Sequence, residues 1–133
     1  MRANDETPSG ALVVAGDEEM RILLRGLLQL HRVRVDAEAE GMTGALRQMR
    51  EHRPALVVAD SHLSEGTPGE LIPEARAIVP GVRFILVAPT SHPPSSLAKE
   101  AAPDVVLLRP FRIHQFAEAI SPAKPPGVAP GPG

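Results

Sequence analysis

The chain has 133 residues, 43% of them hydrophobic and 23% charged, with a net charge of -2. That length suits one domain with one core and leaves no room for a second, and the near-balanced charge gives no electrostatic footprint for nucleic acid or anionic lipid. The chain has no cysteine, its first ten residues are polar, and no apolar run approaches the ~18 residues of a membrane span. Disulfides, thiolate metal sites, a secretion signal and a membrane anchor are therefore not expected. The expected setting is the cytoplasm, with protein partners.

In chain order, Ala11-Leu-Val-Val-Ala15 is a short apolar run that ends at Gly16-Asp17, a turn that can also cap a helix. From Glu18, the residues Met20, Leu23, Leu24, Leu27, Leu28 and Leu30 recur at helical spacing, with Arg21 and Arg25 on the other face. Arg32 to Asp36 alternates like a strand with one buried face, and Gly44 to Arg50 carries the next helical stripe until Arg53-Pro54 stops it. Ala55-Leu-Val-Val-Ala59 is a third strand, with Asp60 at its end and the loop Ser61 to Pro68 beyond. The spacing then predicts a helix over about Pro68 to Ile78, a strand over Val82 to Val87, a helix over about Ser95 to Ala101, a strand over Val105 to Leu108 and a last helix over about His114 to Ile120.

With three Phe and neither Trp nor Tyr, the core must be built from Leu, Val, Ile and Ala, which suits a parallel sheet covered by helices. The predicted fold class is α/β: a doubly wound five-stranded parallel sheet, flavodoxin-like, with strand order 2-1-3-4-5. It forms a single domain over residues 11–120, flanked by a disordered segment at 1–10 and a flexible Pro/Gly-rich tail at 121–133. The order sets the carboxyl ends of strands one and three side by side, where open α/β sheets form their ligand crevice, so Asp17 and Asp60 are expected to meet there. Each also has a plain structural role open to it, Asp60 capping the loop that follows and Asp17 capping a helix. The five histidines show no metal-binding spacing, and Gly41, Gly44 and Gly66 form no phosphate-cradling loop, so no enzymatic constellation is apparent.

Three segments together resemble the receiver domain of bacterial two-component response regulators. They are Ala-Leu-Val-Val-Ala-Gly-Asp-Glu-Glu-Met-Arg at 11–21, Arg-Pro-Ala-Leu-Val-Val-Ala-Asp at 53–60, and Leu-Leu-Arg-Pro-Phe at 107–111. The resemblance implies that Asp60 is the phosphoacceptor and that Mg²⁺, held by carboxylates and a backbone carbonyl, offsets the phosphoryl charge. Asp17, Asp60 and the carbonyl of His62 match the metal ligands, but the family's acidic pair falls on Ala15 and Gly16, so weak Mg²⁺ binding is the most the resemblance implies. The family's hydroxyl falls on Ala88, with Thr90 as a nearby substitute; its lysine falls on Arg109, ahead of an Arg109-Pro110 bond expected to be cis; and its aromatic switch falls on Val106. The implied partners are a histidine kinase or a downstream effector, with a homodimer through the face of the fourth helix, fifth strand and last helix as a further option. Nucleic acid and membrane are not expected partners. Two functions follow: an atypical single-domain response regulator phosphorylated on Asp60, or a phosphorylation-independent pseudo-receiver acting as an interaction or dimerisation module.

Overall fold

Among the described residues, the apolar runs become strands and the amphipathic stretches between them helices. A computed structural model describes residues 10–89 and 102–121. Its elements are β1 (Gly10–Val14), α1 (Glu18–Leu30), β2 (Arg34–Ala39), α2 (Met42–His52), β3 (Leu56–Asp60), α3 (Pro68–Ile78), β4 (Arg83–Pro89), β5 (Val105–Arg109) and α4 (Ile113–Ile120). All strand pairs are parallel, and the order across the sheet is β2-β1-β3-β4-β5. This is the doubly wound, flavodoxin-like topology that the alternation predicts. The helix expected near Ser95, residue Thr90, the first nine residues and the tail beyond Ser121 lie outside the described residues.

The strand composition explains the layers. β1 and β3 are buried along their whole length, because successive side chains point to opposite faces and both faces are covered. Leu12, Val14, Val57, Ala59 and Phe84 pack on one side with Ala45 and Met49 of α2 and Leu71, Ile72 and Ala75 of α3. Ala11, Val13, Val58, Ile85 and Val87 pack on the other with Leu24 and Leu28 of α1 and Phe116 and Ala119 of α4. Local signals set the helix starts. Asp17 caps α1 by accepting the Met20 N–H, and Thr67 with Glu70 forms a capping box ahead of α3 with Pro68 in its first turn. Among the described residues, no helix is long and apolar enough to cross a membrane.

Two expectations need correction. β2 starts at Arg34 and runs to Ala39, where alternation placed a strand from Arg32 to Asp36. The chain is still closing α1 at those first positions: Arg32 adopts a left-handed φ of 65°, and the amides of Arg32 and Val33 bond the carbonyls of Gln29 and Leu28. The apolar stripe of α1 is also narrower than its sequence reads. Leu24 and Leu28 are fully buried, whereas Leu23 is 48% and Leu30 64% exposed. At about 100° per residue, positions one before Leu24 and two after Leu28 turn away from the sheet.

Leu28→Ala is accordingly expected to lower stability by ~2–5 kcal/mol, and Leu30→Ala to stay within ~0.5 kcal/mol of wild type. Urea denaturation of the two variants checks this, and similar losses at both positions would mean that the face of α1 is misassigned.

Candidate functional site

The carboxyl end of β3 delivers Asp60 into the crevice and buries it, with 3% of its surface exposed. Asp60 still pairs with Val87 of β4, and the next amide, Ser61 N–H, bonds the Val87 carbonyl at 2.8 Å, so the main chain that carries the carboxylate is held by the sheet on that side. Its Oδ2 accepts the His62 N–H at 3.1 Å, the self-capping turn that Asp favours at the start of loops. Its Oδ1 makes no hydrogen bond and lies 3.8 Å from Nη2 of Arg109. A buried carboxylate is costly unless a counter-charge and hydrogen bonds satisfy it, and here Arg109 supplies the charge and His62 the donor. Arg109 comes from the last position of β5, level with Pro89 of β4, and the Arg109-Pro110 bond that follows is cis.

The other candidate residues take different positions. Asp17 sits at the start of α1, where its exposed carboxylate accepts the Met20 N–H at 3.1 Å. The His62 carbonyl accepts the Gly16 N–H at 2.9 Å. Ala88 is buried in β4 and carries no hydroxyl, Val106 is 38% exposed on β5, and Thr90 lies outside the described residues. Among the described residues, no three His, Asp or Glu side chains converge as metal ligands.

Space around Gly16 is tight. A Cβ there would come within 3.0 Å of the Ser64 nitrogen and 3.1 Å of the Leu63 carbonyl carbon. The backbone after Asp60 thus rests against the position where the resemblance places a second acidic residue. A hydrated divalent cation needs one or two carboxylates turned toward it, with waters in near-octahedral order. Asp60 faces a guanidinium instead, and Asp17 serves the helix end.

Sequence reasoning missed three contacts at the rim. Arg21, read as a residue of the solvent face, donates from Nη1 to the Ala15 carbonyl at 2.8 Å and lies 3.9 Å from Glu38. Arg25 meets the same Glu38 at 2.6 Å. The spacing of Arg21 and Arg25, one helical turn apart, is the one available signal, since a shared acidic partner on β2 appears only once β1 and β2 are paired.

With this geometry in place, the fold can be assigned by comparison. No family model matches the sequence, and neither does any curated protein. Solved structures do: the chain has the fold of response-regulator receiver domains. The signal receiver domain of NarL from Mycobacterium tuberculosis superposes with a TM-score of 0.72 at 17% identity, over 85% of this chain and 93% of that one. A CheY-like receiver domain from Methanospirillum hungatei gives 0.72 at 20% identity, over 86% and 91%. A response regulator from Burkholderia pseudomallei, crystallised with a phosphorylated aspartic acid, a calcium ion and citrate, gives 0.71 at 19%, over 86% of this chain and 67% of that one.

Gly16→Ala should cost ~1–3 kcal/mol, the usual penalty of overpacking, because the two nearest atoms its Cβ meets, the Ser64 nitrogen and the Leu63 carbonyl carbon, are backbone and cannot rotate aside. Thermal or urea denaturation measures it, and a neutral result would show that the loop after Asp60 moves freely from Gly16.

Proposed function

We propose that this chain is a receiver-fold signalling module of the two-component type that works in the cytoplasm by protein–protein interaction and without phosphorylation. The observation that carries this reading is the Asp60–Arg109 pair. In a phosphoryl-accepting site the attacking carboxylate needs cations to offset the charge on the phosphoryl oxygens, since catalysis of that transfer rests on positioning and electrostatics. Here the carboxylate faces a planar guanidinium, which does not reproduce the compact charge of the ammonium group the family carries at that position. The family's acidic pair, which helps to hold the metal, falls on Ala15 and Gly16 and leaves Asp17 as the carboxylate next to it in sequence. Ala88 and Val106, at the family's hydroxyl and aromatic switch positions, lack the parts that relay phosphorylation to the surface. A module of this kind serves a histidine kinase or an effector through a constant docking surface, and no catalytic activity is assigned to it.

One observation favours the second reading, in which Asp60 is a phosphoacceptor. Its Oδ1 is buried and accepts no hydrogen bond, leaving a carboxylate oxygen without a donor at the end of a central strand, and a similar fold carries a phosphorylated aspartic acid in the Burkholderia pseudomallei structure.

Incubation with acetyl phosphate and Mg²⁺, followed by intact-mass measurement, separates the two. The expected result is no phosphoryl adduct above that of an Asp60→Ala control. An adduct present in wild type and lost in the control would establish the phosphoacceptor and displace the phosphorylation-independent reading.

A further inference from the structure

The loop after Asp60 is fastened to its neighbours at several points. Gly16 N–H donates to the His62 carbonyl at 2.9 Å, Ser64 N–H to the Glu40 carbonyl at 2.8 Å, and Met42 N–H to the Glu65 carbonyl at 3.1 Å. Thr43 Oγ1 adds a bond of 2.7 Å to the Glu65 carboxylate. These contacts tie the loop to the ends of both β1 and β2. Gly41 makes the second attachment possible, since a Cβ there would lie 2.6 Å from Ser64 Oγ and 3.0 Å from the Glu65 nitrogen. The mouth between β1 and β3 is therefore spanned by backbone that glycines admit, and Leu63 within that loop is buried in the core.

We propose that this fastened loop and the Arg109 guanidinium together replace a divalent cation in the crevice: Arg109 is the resident counter-ion of Asp60, and the domain neither takes up Mg²⁺ nor gains stability from it. The inference rests on the reading of Asp60–Arg109 as a standing pair and extends it to cation binding. The physical reason is twofold. The His62 carbonyl, which would turn toward a metal, is held by the Gly16 amide, and the one carboxylate shown buried among the described residues already lies beside a positive charge. A divalent ion entering beside Asp60 would be repelled by the guanidinium and would compete with the Gly16 amide for the His62 carbonyl. Missing carboxylates are only part of the obstacle; the rest is chain packed into the space.

Urea denaturation of the full chain, with and without millimolar Mg²⁺, tests this on wild type, Arg109→Lys, Arg109→Met, Asp60→Asn and the Asp60→Asn/Arg109→Met double variant. A ligand that binds the folded state raises the midpoint by mass action, so the expected wild-type midpoint is the same in both buffers. Arg109→Met should lower the midpoint, Arg109→Lys should retain most of it, and the loss on removing Arg109 should vanish in the Asp60→Asn background. A wild-type midpoint raised by Mg²⁺ would overturn the inference without any variant being needed, and so would an Arg109→Met loss that is equally large in the Asp60→Asn background. An acetyl phosphate adduct on Asp60 with no Mg²⁺ response would instead sink the phosphorylation-independent function and leave Arg109 as the resident counter-ion.

Discussion

Burying a carboxylate at the end of a central strand is unfavourable unless something opposite in charge comes with it, and Asp60 is accommodated here by Arg109, delivered from two strands away. The arrangement depends on register. β3 pairs with β4 so that Asp60 stands level with Val87, and β4 pairs with β5 so that Pro89 stands level with Arg109. A slip of one residue in either pairing would turn the ladder's side chains to the other face and move both charges out of reach. The buried runs Leu12 to Val14, Val57 to Ala59 and Phe84 to Val87 hold that register, so the hydrophobic core sets the electrostatics at the crevice.

The same sheet explains why the crevice mouth is filled. In an open α/β sheet the ends of β1 and β3 diverge toward helices on opposite faces, leaving a gap there that ligands commonly use. In this chain small residues stand at that gap, Ala15 and Gly16 after β1 and Gly41 after β2. The loop from Ser61 to Thr67 settles across it, and its amides and carbonyls find backbone partners. Small residues at the gap and backbone contacts that close it are thus two sides of one packing solution.

The fold was legible because hydrophobic periodicity reports burial directly. The runs at Leu12, Val57 and Ile85 are apolar on both faces and flanked by turn residues, and Thr67-Pro68 with Glu70 announces the start of α3. β2 was less legible, being half-buried at the sheet edge with a start set by backbone bonds that close α1 at Gln29 and Leu28. Leu23 and Leu30 misled for another reason: hydrophobicity alone does not fix which side of a helix meets the sheet. At the site, Asp60 stood out by its position at a strand end. Its proximity to Arg109 was implied by the resemblance alone and not by periodicity or spacing, because two residues far apart in sequence meet only through the register of three strands. The Gly16 to His62 contact leaves no side-chain signature at all, since it is backbone to backbone and Gly16 is recognisable only by what surrounds it.

If Arg109 and the fastened loop hold the crevice in one state, a phosphoryl mimic should find nothing to complete. Amide NMR spectra of the protein alone, with Mg²⁺, and with Mg²⁺ plus beryllofluoride measure this directly, with Asp60→Ala as the control. Resonances of Gly16, Asp60, His62, Ala88 and Arg109 are expected to stay in place through both additions. Shifts at those amides that appear with beryllofluoride and disappear in Asp60→Ala would contradict the standing pair and identify Asp60 as a working phosphoacceptor.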